Sequence, residues 1–161
     1  VRWTAGNCPG LTGEIVRWHG LYYVRDLGWP PLFEALCAEQ LGEIARHFGE
    51  RDDVTAISAW AADEFLAGVV MDARPGARPG ARLRFFIASE AARGRGLGNE
   101  LMARALEWSK RRGHQCVWLT SVVGLPASSH LYRKFGFTVI EERVDRTWGS
   151  EHLEQLWERR C

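Results

Sequence analysis

No apolar run in this 161-residue chain approaches the roughly 20 residues needed to span a bilayer, so the sequence contains no expected membrane span. The first residues, Val1 to Asn7, lack the charged head and apolar body of a secretory leader. A basic excess is also missing. Lys and Arg number 21 against 20 Asp and Glu, a net charge of +1, which is too little to neutralise a phosphate backbone and argues against nucleic acid as a partner. Cysteine is sparse and scattered: Cys8, Cys37, Cys116 and Cys161 form no C-x-x-C pair and no Cys/His ligand cluster, so no metal site is expected. A chain of this length needs no disulfide staples, and a reducing cytoplasm is the expected setting.

What the chain has in quantity is core material. Its residues are 46% hydrophobic and include 8 Trp and 7 Phe, enough for one domain spanning residues 1–161. Gly13 to Trp18 reads as a short extended segment, followed by a Tyr-rich helical turn around Leu21 to Leu27 and the break Gly28-Trp29-Pro30-Pro31. From Leu32 the apolar positions Phe33, Leu36, Cys37, Leu41, Ile44 and Phe48 fall at helical spacing, predicting an amphipathic helix that ends near Gly49. Val54 to Trp60 and Phe65 to Met71 are β-branched and aromatic runs around a short polar link, which predicts a hairpin. Ala73-Arg74-Pro75-Gly76 then recurs once as Ala77-Arg78-Pro79-Gly80, too few copies for a repeat architecture and expected to be a connection.

The second half alternates more regularly. Ala81 to Ser89 reads as a strand whose apolar centre, Phe85 to Ala88, implies cover on both faces. Asn99 to Arg112 reads as a helix with Leu101, Met102, Ala105, Leu106 and Trp108 inward; Glu100 in its first turn and Lys110-Arg111-Arg112 in its last complement the helix dipole. Gln115 to Val122 predicts a strand, Pro126 to Phe135 a short helix, Phe137 to Val144 a strand, and Glu151 to Glu158 a last one. This order implies an α/β layer structure with one sheet.

Between the first of these strands and its helix lies Arg93-Gly94-Arg95-Gly96-Leu97-Gly98. A glycine-rich turn there exposes backbone N–H groups at the positive end of a helix dipole, a ready site for phosphate or pyrophosphate. The spacing is not G-x-G-x-x-G, and no Lys-Ser/Thr follows to make a P-loop. The stretch matches the R/Q-x-x-G-x-G/A loop of the GNAT acetyltransferases at every fixed position, and the chain resembles that family. Leu131-Tyr132-Arg133-Lys134-Phe135-Gly136-Phe137 is similar to its second signature, a helix carrying Tyr and ending in Gly-Phe. A narrower likeness, carried by Gly13 to Val16, Trp18 to Tyr22, Gly28-Trp29, Phe33 to Leu36, Trp148-Gly149 and Glu154 to Trp157, resembles acetyltransferase domains fused behind MarR-type regulators. This chain carries no DNA-binding part, and reads as a free-standing relative or an excised domain.

The resemblance implies a mixed α/β fold with a twisted, mainly antiparallel sheet, splayed between its fourth and fifth strands and flanked by helices. It implies acetyl-coenzyme A as co-substrate, with Phe86, Ile87 and Ala88 along the pantetheine arm, and Arg93, Gly94, Arg95, Gly96, Leu97, Gly98 and Asn99 at the pyrophosphate. Tyr132 is the implied acid for the departing thiolate. His19 and Glu34 are candidate bases for the acceptor amine, although a lone His is more often structural and Glu34 fits equally the polar face of its helix. Tyr22, Tyr23 and Trp29 are candidates for an acceptor pocket, or plain packing. Two positions depart from the family: Leu125 replaces a coenzyme-binding Asn seven residues before the Tyr, and Thr120 stands where relatives that acetylate protein N-termini carry Glu.

The reading is therefore an N-acetyltransferase acting by direct transfer in a ternary complex on a small-molecule or peptide amine, without metal. Its rival is a module that senses acyl-coenzyme A or an amine without turnover. The acceptor and the oligomeric state, a homodimer included, stay open.

Overall fold

The computed structural model describes residues 1–161 as a seven-stranded sheet between two helical layers. The strands are β1 (Arg2–Ala5), β2 (Val54–Ala61), β3 (Glu64–Asp72), β4 (Ala81–Ala88), β5 (Cys116–Val122), β6 (Thr138–Asp145) and β7 (His152–Arg160). The helices are α1 (Leu11–Gly20), α2 (Leu32–Ala45), α3 (Leu97–Arg111) and α4 (Pro126–Lys134), and a π-helical turn covers Leu21–Asp26. None of them is long and apolar enough to cross a membrane.

Period-2 alternation in the central hairpin sends successive side chains to opposite layers. Ile57 and Ala59 of β2 with Val69 and Met71 of β3 pack under Leu101, Met102 and Ala105 of α3. Val54 and Ala56 with Val70 pack under Leu11 and Ile15 of α1 and Leu41 and Ile44 of α2. Both faces of β2 and β3 are thereby buried, which is why these strands read as unbroken apolar runs.

The sheet order is β1-β2-β3-β4-β5-β7-β6. All neighbours are antiparallel except β4 and β5, which run parallel across the crossover through α3. That parallel pair is in register only at Ala81↔Val117 and Arg82↔Trp118, after which the strands part. The expected splay is present, and it decides the environment of Phe85 to Ala88. These residues are half-buried rather than covered on both faces, because β4 loses its neighbour where they begin to line the opening.

The N-terminal reading needs correction. Gly13 to Trp18 is part of α1, not an extended segment: Leu11, Ile15 and His19 recur every four residues and are buried together, and that burial outweighs the cost of about 1 kcal/mol for a helical Gly13. The strand β1, paired with the far edge of β2 from Arg2↔Trp60 to Ala5↔Ile57, was not expected at all. In α3, Ser109 takes the buried position and Trp108 stays half-buried under the Arg112 guanidinium, 4.3 Å from its ring centroid.

Candidate active site

The parting of β4 and β5 opens a cavity of about 340 Å³ with walls from α1, the π-helical turn, α2, β4, β5, α4 and β7. Local irregularities set what faces it. In β4 the register jumps from Gly68↔Ile87 to Val70↔Arg84, one extra residue on β4, and Phe85 takes a left-handed φ of 53°. Such a bulge breaks the ladder and re-aims backbone groups and side chains. Phe85, Phe86, Ile87 and Ala88 all line the cavity as a result. The π-helical turn has a similar effect on the opposite wall. Its wider winding, with the Leu27 amide donating to the Tyr22 carbonyl, lets the consecutive residues Tyr22 and Tyr23 both line the space.

Beyond the end of β4 the chain passes through a short 3₁₀ turn, Glu90–Ala92, into the glycine loop. Gly94 and Gly96 each hold φ of 72°, a conformation that costs a residue with a β-carbon about 1–2 kcal/mol. Gly96 caps α3, and no side chain accepts from the helix's first N–H groups, those of Leu97, Gly98 and Asn99. A β-carbon at Gly94, Gly96 or Gly98 would meet no protein atom within 4 Å. The loop thus presents uncapped donors at a positive helix end with clear approach, and Arg93 connects it to the cavity wall. Arg95 is exposed, Leu97 buries its side chain in the core, and Asn99 Oδ1 accepts a 2.7 Å hydrogen bond from Lys134 Nζ. The pyrophosphate of a coenzyme fits this donor set.

Tyr132 lies on α4, its ring packed edge-on against Trp157 (5.4 Å between centroids) and Phe137 (6.1 Å). It is buried yet lines the cavity. Burial raises its phenol pKa above the usual 10, and polar contact with Ser121 and Ser128 pulls only partly the other way. The hydroxyl is therefore a proton carrier over the whole physiological range.

His19 lies across the cavity, stacked on Tyr23 with rings 7° from parallel and set edge-on to Phe85. Its Nδ1 is 2.8 Å from the Ile15 carbonyl oxygen, which can only accept, so Nδ1 carries the proton and Nε2 is bare in the neutral ring. Burial depresses its pKa to about 4, against a smaller upward pull from that hydrogen bond. Glu34 is placed differently from the expected desolvated base. It is exposed on α2, outside the cavity lining, with its carboxylate over Gly20.

Trp29 does join Tyr22 and Tyr23. Tyr23, Trp29 and Phe33 lie 4.7–5.2 Å apart by ring centroid, Trp148 adds a fourth ring 5.3 Å from Phe33, and His152 stacks on Trp29 at 3.7 Å. Sequence reading missed Phe33, Cys37, Phe85, Glu154 and Trp148 as cavity residues. The i, i+4 spacing of Phe33 and Cys37 was a usable signal, whereas the bulge at Phe85 leaves none. Cys37 is fully buried, and its thiol is pushed up to about 12 by burial, with the Glu34 charge adding to the effect, so it holds no thiolate near neutral pH.

The sheet opens between two parallel strands, with the uncapped glycine turn joined to the gap by Arg93 and an aromatic pocket lining it. The chain belongs to the acetyltransferase (GNAT) family, whose profile matches residues 18–137. Among solved structures it is similar in fold to ribosomal-protein-alanine N-acetyltransferase from Brucella melitensis (TM-score 0.78, 15% identity, 100% of both chains). It is also similar to an acyl-CoA N-acyltransferase from Pseudomonas aeruginosa (0.71, 19%, 99% of both chains). A third likeness is to yncA from Salmonella typhimurium, determined with acetyl-CoA (0.72, 13%, covering 99% of this chain and 94% of that one). A search of curated proteins finds no match.

Proposed function

We propose that the protein is an acetyl-coenzyme A-dependent N-acetyltransferase acting on a primary amine by direct transfer. The observation that carries this reading is the meeting of three features around one cavity: the bulged end of β4, the uncapped glycine loop that Arg93 joins to it, and the buried phenol of Tyr132. Neighbouring folds determined with acetyl-CoA support the choice of coenzyme. The narrower likeness to domains fused to MarR-type regulators remains a reading of sequence motifs, since the matches reach only the family. Acetyl-coenzyme A would be met in the cytoplasm, where we place the enzyme.

When bound, the coenzyme supplies an activated acyl carbon for the amine to attack. In this reading Phe86, Ile87 and Ala88 align its arm along β4, while the N–H groups of Leu97, Gly98 and Asn99, with Arg93 and Arg95, hold its pyrophosphate. Tyr132 Oη holds a proton and releases it to the sulfur that departs. His19 is too weak a base to retain the amine's proton, so its bare Nε2 orients the amine as an acceptor while the proton passes to solvent. Cys37, the one cysteine of the cavity, stays a thiol, which argues against a covalent acyl-enzyme. The test is thiol release from acetyl-coenzyme A with pooled primary amines, in wild type and Tyr132→Phe. Turnover in wild type with a fall of at least a hundredfold in the variant supports the reading, and coenzyme binding without turnover on any pool favours a sensor.

A further inference from the structure

Charge at the seam between β4 and β5 is unevenly matched. Each carboxylate there is taken: Asp72 by Arg74 (2.9 Å) and Arg84 (3.4 Å), Glu154 by Arg143 (2.9 Å), and Glu158 by Arg78 (2.7 Å). Arg82 alone among these arginines forms no ion pair. It reaches only the Thr120 hydroxyl, at 3.3 Å, and its Nε is buried without an acceptor. Burial first, and then the Arg84 guanidinium, depress its pKa to about 10, against a smaller upward pull from the Glu154 and Asp72 carboxylates.

Two more donors are orphaned next to it. Arg78 Nε and Trp118 Nε1 are also buried with no acceptor, and the Arg78 and Arg82 guanidinium groups lie 5.7 and 4.8 Å from the centroid of the Trp118 ring. Folded proteins leave few buried donors unmet, and charged ones are the most costly to leave. All three line a second cavity of about 310 Å³ under the loop from Ala73 to Gly80, and Arg82 lines the catalytic cavity as well. Three unmet donors and no unmet acceptor call for a negatively charged group.

Arg82 shares a cavity with the reaction centre, since both it and Tyr132 line the same space. Arg82 donates to the hydroxyl of Thr120 on β5, which lines that cavity too. An acceptor held in this cavity can therefore present its amine toward Tyr132 and an anion to Arg82.

We infer that the acceptor is an amino-carboxylate, an amino acid or a peptide too short to fill more than the aromatic pocket, whose carboxylate is received by Arg82 backed by Arg78 and Trp118. This rests on the acetyltransferase reading and narrows its substrate class. The Tyr23, Trp29 and Phe33 wall suits an apolar or aromatic side chain on that acceptor. Bare alkylamines and polyamines lack the anion.

The experiment separates the two claims. Titration of acetyl-coenzyme A tests the enzyme reading, and absence of binding overturns both. Thiol release is then compared across matched acceptors: each amino acid against its carboxamide and its decarboxylated amine. The expected result is at least a tenfold higher kcat/KM for the carboxylate, the size of one charge-assisted hydrogen bond. Arg82→Gln should bring the series toward parity, mainly through KM for the carboxylate, with coenzyme affinity kept. Trp118→Phe, which keeps an aromatic face under the guanidinium groups but loses the indole N–H along with one ring, should give the same change in smaller measure. Parity in wild type, a preference undiminished in Arg82→Gln, or coenzyme binding with no turnover on any carboxylate acceptor would overturn the inference; turnover of the amides alone would leave the enzyme reading standing.

Discussion

Replacing His19 by Asn removes an imidazole that the fold holds neutral, while the amide can still donate where Nδ1 does. In the unfolded chain His19 titrates near 6.5, and in the folded protein near 4. The unfolded state thus binds the proton first, so stability is full above pH 6.5 and falls as the pH drops toward 4. With one pKa unit equal to about 1.4 kcal/mol, the loss between pH 7.5 and pH 5 is about 2 kcal/mol for this group, growing to about 3 kcal/mol below pH 4. Carboxylates such as Asp72, whose pKa is lowered, contribute mainly below pH 5 and contribute equally to wild type and variant. Urea unfolding at pH 7.5 and pH 5, in both proteins, isolates the His19 part as a difference of differences. An acid loss about 2 kcal/mol smaller in His19→Asn is expected; equal losses would refute the buried neutral imidazole, and with it the argument that His19 does not hold the amine's proton.

Tyr132→Phe should lower kcat by about 10²- to 10⁴-fold with little change in coenzyme affinity, measured by thiol release and titration calorimetry. The wild-type kcat should show no alkaline fall below pH 10, because the acid must stay protonated and burial raises its pKa; a limb at pH 8 would point to another group. Gly96→Ala should cost about 1–2 kcal/mol in thermal unfolding and weaken coenzyme binding, since φ of 72° disfavours a β-carbon. Cys37→Ala should retain turnover, and intact mass after incubation with acetyl-coenzyme A should show no acyl adduct on either protein.

The sequence makes the second half of the chain readable because its signals are local. The helix α3 announces itself by its apolar period, its charge order and the glycines before it, and α4 by the Pro126 that opens it and the Gly136 that stops it. The hairpin β2–β3 is equally plain, from β-branched runs around a short link. The N-terminal segment hides its helix because Gly13 and the pair Ile15-Val16 mimic a strand, and only tertiary burial of Leu11, Ile15 and His19 settles it. The bulge at Phe85 and the π-helical turn at Tyr22 depend on partners distant in sequence, so the residues they turn into the cavity leave no local mark. Glu34 shows the reverse error: its helix is legible, but whether its carboxylate sees the cavity depends on how that helix is rotated about its axis.

The most direct test of the central claim is calorimetric titration of acetyl-coenzyme A into the wild-type protein, followed by thiol release with amine acceptors. Micromolar binding together with turnover that collapses in Tyr132→Phe is the predicted result. Failure to bind the coenzyme would contradict the account at its root.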